Sequence, residues 1–204
     1  MLSCYFIARA GAAVEKLPLD LVRQGELVAA VGPAAASPRA TPAQMLEYNA
    51  VLGAASKRAA ILPLRFGTIF RNEAAVTQFL AARAGELGAT LERLDGKAEM
   101  TVRVKLEAGE SAARRVAELG ELARALETWS EVRTDRSRRV VELAHLIVRS
   151  QAADYRRRLA GEGLEVSGPW PPLHFLPQFL RMPVRSATGS GTSRASGAGS
   201  AGGR

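Results

Sequence analysis

The chain has 204 residues and a net charge of +8, carried by 24 Arg and 4 Lys against 20 acids. That length allows one large domain or two small ones, with a body able to bury roughly 70% of its unfolded surface. No apolar run is long enough to span a bilayer as a helix, and the single Cys4 excludes an internal disulfide, which fits a reducing cytoplasm. The opening Met1–Arg9 has no basic leader before its apolar part, so no secretory signal is expected. Arg185, Arg194 and Arg204 sit in a tail without acids, and basic residues that are nearly all Arg read as a compositional habit more than a phosphate-binding surface.

Residues 3–8 read as a first strand, with Tyr5 and Ile7 on one face and Cys4, Phe6 and Ala8 on the other. Residues 9–19 are a turn-rich connection. Glu26–Val31 is a second strand closed by Gly32-Pro33, and an Ala/Pro/Ser loop follows to residue 40. Thr41-Pro42-Ala43-Gln44 is a helix start. Thr41 caps, Pro42 suits the first helical position, and Gln44 completes a capping box. Met45, Tyr48, Leu52 and Ala55 then recur at helical spacing to about Lys57.

Ile61–Phe70 is the densest apolar run. Both of its alternating faces are largely apolar, which fits a buried strand over residues 60–70. Pro63 implies that pairing begins after it or uses a bulge, and Gly67 implies a bulge or close backbone approach. Arg65 must be paired or reach the surface, and we expect it ion-paired or hydrogen-bonded at the strand end.

Asn72 caps a helix with the stripe Val76, Phe79, Leu80, Leu87, Leu91 and Leu94, stopped by Asp95-Gly96. Lys97–Glu107 alternates Ala98, Met100, Val102, Val104 and Leu106 inward with polar residues outward. Residues 1–107 therefore read β-β-α-β-α-β, with two helices over one face of a sheet.

Residues 111–129 read as a helix with Val116, Leu119, Leu122, Ala123, Leu126 and Trp129 on its apolar side. Ser130–Arg139 is polar and basic. Val140–Val148 suits either a helix or a buried strand. Ser150 is placed to cap a helix through Ala160, and Leu164–Val166 is extended. Gly168-Pro169-Trp170-Pro171-Pro172-Leu173-His174-Phe175 cannot be helical. It reads as a stiff ribbon whose Trp170 and Phe175 pack back on the body. From Pro183 the chain is Gly, Ser, Ala, Thr and Arg, with little to bury, so residues 183–204 are expected to be disordered and dispensable.

The Gly-Pro-Trp-Pro-Pro stretch followed shortly by Phe resembles the closing motif of the gas vesicle protein F/L family. Leu-Pro-Leu-Arg-Phe-Gly-Thr-Ile-Phe, residues 62–70, resembles that family's other hallmark, with Ile69 in place of Val. The resemblance covers about residues 1–176. Leu173 stands where the family usually has Tyr, and the second half is short for the family. In the family frame Val140–Val148 is a strand.

The resemblance implies an α+β protein in three parts: an N-terminal variant ferredoxin-like domain (1–107), a smaller, shortened α+β domain (108–182) and the tail (183–204). It also implies a cytoplasmic or vesicle-bound, non-enzymatic assembly factor or minor shell component. Such a protein would bind the small hydrophobic main shell protein and limit its aggregation, alongside other vesicle accessory proteins, with no cofactor, nucleic acid or membrane involved. A free shell subunit exposes an apolar patch, so its carrier needs apolar and aromatic contacts. Arg65, Phe66, Gly67, Thr68, Phe70, Trp170, Pro171, Pro172, His174 and Phe175 are the candidates.

The alternative is a ferredoxin-like RNA-binding module with a basic surface, in which sheet aromatics stack bases. Lys97–Glu107 has no aromatic, and Arg138-Arg139 and Arg156-Arg157-Arg158 read as solvated faces. For an enzyme the residues are sparse. His145 reads as a satisfied core histidine, Cys4 as a small buried apolar residue, and no zinc spacing, phosphate loop or dinucleotide fingerprint occurs.

Overall fold

A computed structural model of the chain describes residues 1–34, 41–121, 127–135, 138–160 and 163–181. Leu122, Ala123, Leu126 and the tail 183–204 lie outside the described residues. The architecture is mixed α+β, built on two antiparallel sheets.

The first sheet contains β1 (Leu2–Arg9), β2 (Asp20–Gln24), β3 (Leu27–Pro33), β4 (Leu62–Pro63) and β5 (Ile69–Phe70). Its order is β2-β3-β1-β4, with β5 also paired to β1. β2 went unread in the sequence. It makes a tight hairpin with β3 across Gly25-Glu26, and Gln24 pairs with Leu27.

β1 contains a bulge: Cys4 pairs with Val31 and Phe6 with Ala30, which leaves Tyr5 as the extra residue. The expected alternation is therefore corrected. Cys4 joins Ile7 in one core, while Tyr5, Phe6 and Ala8 share the other. A bulge reverses side-chain parity, and no local periodicity announces it.

The expectation of two helices over one sheet face is also corrected. Helix α1 (Pro42–Ser56) packs Tyr48, Leu52 and Ala55 on Phe6, Ala8, Val28 and Ala30. Helices α2 (Glu73–Ala82) and α3 (Ala84–Leu94) pack Val76, Leu80, Leu87, Leu91 and Leu94 on the opposite face. Each fully buried Leu or Phe in these layers contributes roughly 1.5–3 kcal/mol. The α1 capping box forms as read, with the Thr41 hydroxyl accepting from Gln44 N–H. The Asn72 side chain accepts from Ala75 N–H. What read as one helix after Asn72 breaks at Arg83, whose φ of −127° and ψ of 16° are not helical.

Residues 60–70 are not one strand. Leu62 and Pro63 pair with Ile7 and Phe6, the chain turns away, and Ile69 and Phe70 return to pair with Ser3 and Leu2. Pro63 itself lies in the pairing. Leu64 N–H donates to Tyr5 O, so by alternation the proline nitrogen faces the open edge, where no donor is needed.

The second sheet has the order β7-β8-β6-β9, from β6 (Lys97–Lys105), β7 (Glu127–Asp135), β8 (Arg138–Val148) and β9 (Leu164–Trp170). β6 pairs only within this sheet, so the β-β-α-β-α-β reading of one sheet over residues 1–107 is corrected. Trp129 lies on β7 opposite Ala144, not at the end of a helix, and α4 covers Ala112–Glu121. Pairing with β8 decides this segment, and a helix propensity read locally cannot see it. β8 takes the strand reading of residues 140–148.

Helices α4 and α5 (Ala152–Arg158) cover one face of this sheet. A 3₁₀ turn at Arg149–Gln151 precedes α5, and Gln151, not Ser150, holds the cap position. The other face contributes Ala144 and Leu146 to the core formed with α2, α3 and the closing segment.

Candidate functional site

The two hallmark runs meet different fates. In the first, Arg65–Thr68 forms a turn in which Thr68 N–H and its hydroxyl both donate to Arg65 O, at 3.0 and 2.7 Å. Gly67 occupies the third position with φ 82°, the conformation a type II turn reserves for glycine. Thr68 and Phe70 are buried, and Phe70 meets Phe79 with ring centroids 5.4 Å apart. Phe66 is half-buried and edge-on to Tyr48 at 5.4 Å, while the Tyr48 hydroxyl donates to Leu64 O. Arg65 is exposed and has no side-chain partner among the described residues, which corrects the expected pairing at the strand end. Its charge stays in water, which costs nothing in desolvation.

The closing run begins as the end of β9. Gly168 has φ 114°, and a Cβ there would lie 2.7 Å from Glu99 O and 2.9 Å from Met100 Sδ. Only glycine lets β9 approach β6 so closely. The Arg156 guanidinium also donates to Gly168 O. The expected proline ribbon is thus strand through Trp170, then a 3₁₀ turn at Leu173–Phe175 and a short helix α6 at Gln178–Arg181.

Glu99 is the residue that the sequence hid. It falls on the polar face of β6, yet it is 2% exposed. Oε2 accepts from His174 N–H at 2.9 Å, and Oε1 lies 2.7 Å from His174 Nδ1. A buried carboxylate demands such partners, and both come from the closing turn. Arg93 of α3 donates to Phe175 O at 2.5 Å, and the Arg83 guanidinium lies 4.1 Å over the Phe179 ring. Pro171, Pro172, Phe175, Leu176 and Leu180 are buried. The closing segment is therefore a clasp between the second sheet and helices α2 and α3.

Trp170 is the exception. It is 48% exposed, its Nε1–H donating to Ser167 Oγ at 3.3 Å, so the expectation that it packs on the body is corrected. Leu173 is 43% exposed beside it. These two side chains, with Pro169, His174 and the Leu52 side of α1, line a groove of about 520 Å³, within the size range of ligand sites. Of the candidates named from the sequence, Trp170, Pro171 and His174 line this groove, Pro172 lines an adjoining cleft, and Arg65, Phe66, Gly67, Thr68, Phe70 and Phe175 line neither.

Titratable groups elsewhere show little chemistry. Burial pushes the Cys4 thiol up to about 12. His145 is buried, and burial lowers its pKa to about 4. Its Nδ1 meets the Tyr155 hydroxyl, but Nε2 has no partner among the described residues, so it is only half the satisfied core histidine expected. Among the described residues no cluster of His, Cys, Asp and Glu could hold a metal, and no helix is long and apolar enough to cross a membrane. Both faces of the first sheet carry helices, which leaves no open sheet surface there for stacking bases.

A family model described as gas vesicle synthesis protein GvpL/GvpF matches residues 5–142, more than half of the chain. Two crystal structures share the fold. The gas vesicle protein GvpF from Anabaena sp. PCC7120 aligns with a TM-score of 0.66 at 16% identity, covering 85% of this chain and 94% of that one. GvpF from Microcystis aeruginosa aligns with a TM-score of 0.66 at 16% identity, covering 85% of this chain and 98% of that one. No curated protein matches the chain in sequence.

Proposed function

We propose that this chain, which belongs to the GvpL/GvpF family of gas vesicle synthesis proteins, serves gas vesicle formation by holding the small hydrophobic main shell protein at the Trp170–Leu173 groove. The observation that carries this reading is the groove itself. Two large apolar side chains, 48% and 43% exposed, stand together on a turn fixed by Glu99, Arg156 and the buried prolines. Exposed apolar surface on a rigid support is costly to keep in water and loses little entropy on docking.

In this reading the protein is a non-enzymatic assembly factor or minor shell component. It works in the cytoplasm or on the vesicle, with the shell protein and other accessory proteins as partners. In the same reading the chain acts as two α+β units and a tail.

Co-expression with the main shell protein tests this. With the intact chain, more shell protein should stay in the supernatant after sedimentation than without it. The double variant Trp170→Ala, Leu173→Ala should lose that gain while still folding. Equal sedimentation with and without the chain would end the proposal.

A further inference from the structure

The groove does not end at its apolar walls. A second cleft, of about 170 Å³, adjoins it and shares Ser56, Lys57 and Arg149 in its lining. This cleft is basic. Lys57, Arg58, Lys97 and Arg149 line it against a single acid, Asp95. Lys57, Arg58 and Arg149 form no ion pair with a carboxylate among the described residues, and Asp95 is not within ion-pair range of them.

Lys57 and Arg58 follow α1, where the helix C-terminus presents partial negative charge, so they have a local role to fill. Arg149 has none. It sits at the end of β8, half-buried, with one long contact of 3.5 Å from its guanidinium to Lys97 O. Burial lowers its pKa, the mark of a cation short of solvation.

We propose that the two clefts form one amphiphilic docking site for a protein segment that carries a carboxylate next to apolar side chains, with Arg149 as the anchor for the carboxylate. The inference rests on the proposed function, because it takes the shell protein as the source of that segment. The charge is complementary: Lys57, Arg58 and Arg149 at the polar end form no ion pair among the described residues, the groove's own carboxylate, Glu99, is taken up by His174, and a guanidinium takes a carboxylate in a two-point fork. The apolar end, Leu52, Pro169, Trp170 and Leu173, takes the adjoining side chains. A single-stranded nucleic acid fits less well, since it calls for several stacking rings along the groove and the apolar end offers one indole, Trp170, beside a His174 held by Glu99.

The test uses the full chain and fluorescent synthetic peptides with a repeating Leu-Leu-Glu pattern, or with Gln or Lys in place of Glu. Trp170 emission and peptide anisotropy report binding. The Glu peptide should bind at least about tenfold tighter than the Gln peptide, the difference a charge-assisted pair makes. Arg149→Gln should abolish that preference, with the melting curve unchanged, and Arg149→Lys should restore part of it. Equal binding of the Glu and Gln peptides, an intact preference in Arg149→Gln, or displacement of the peptide by an oligouridine would each overturn the proposal.

The shell-protein sedimentation assay runs in parallel. If the peptide preference holds but the chain leaves the shell protein's sedimentation unchanged, the site stands and the shell-protein reading fails. If the shell protein is held but the preference is absent, the Arg149 anchor alone fails.

Discussion

Ile61–Phe70 and Gly168–Phe175 are alike in composition, each apolar, proline-bearing and aromatic, yet they are used differently. The first is consumed by the fold. Phe70 lies on Phe79, Thr68 closes a turn, Phe66 leans on Tyr48, and only Arg65 and Gly67 face water. The second is divided. Pro171, Pro172 and Phe175 close the seam between the two sheets, while Trp170 and Leu173 remain open. A conspicuous motif can therefore mark a folding constraint or a surface. The distinction lies in burial, which spacing alone does not encode.

The difference can be broken at its deepest point first. Phe70→Ala removes a buried ring between β5 and α2 and should cost about 3–5 kcal/mol, read as a fall in the denaturant midpoint at unchanged slope. A loss near zero would mean that the first run is no more structural than the second.

Acid offers a second cut, because it probes the second sheet on the face away from the closing turn. His145 has a folded pKa of about 4, depressed from an ordinary value near 6.5. Between those values the unfolded chain binds the extra proton, so stability is full above about pH 6.5 and falls as pH drops toward 4. The expected loss is on the order of 2–3 kcal/mol. His145→Gln should flatten this part of the profile. A profile unchanged by that substitution would place the acid sensitivity elsewhere than His145.

Glu99→Gln is the third. It keeps the shape but weakens two charge-assisted bonds to residue 174, at a cost of about 2 kcal/mol. It should also loosen the Leu173–Phe175 turn, seen as faster amide exchange of His174. If exchange there is unchanged, the turn is held by its prolines and not by the carboxylate.

Much of this was legible in the residues, for local reasons. The Thr41 capping box, the Asn72 cap and the apolar alternation along β6 depend on neighbours a few positions away, and all three form as read. What escaped depends on distant partners. The Tyr5 bulge is set by β3, and Trp129 is a strand residue because β8 lies beside it. Glu99 looked solvent-facing because the turn that buries it arrives 75 residues later. The two motifs stood out as the places to look, but which of their side chains stay open depends on packing against residues far along the chain.

Trp170→Ala should have the smallest effect on stability and a large one on binding. An indole 48% exposed, with one long hydrogen bond to Ser167, contributes little packing, and its removal should move stability by no more than about 0.5 kcal/mol. In a Trp129→Phe background, iodide should quench the remaining Trp170 emission strongly, as a half-exposed ring allows. The reasoning runs against the usual expectation for tryptophan, which seldom stays in water unless something else covers it. A loss of several kcal/mol in Trp170→Ala, or weak quenching, would mean that the ring is packed, and the closing motif would then be as fully consumed by the fold as Ile61–Phe70. Stability unchanged and shell-protein retention lost would separate the two motifs in function as they are separated in burial.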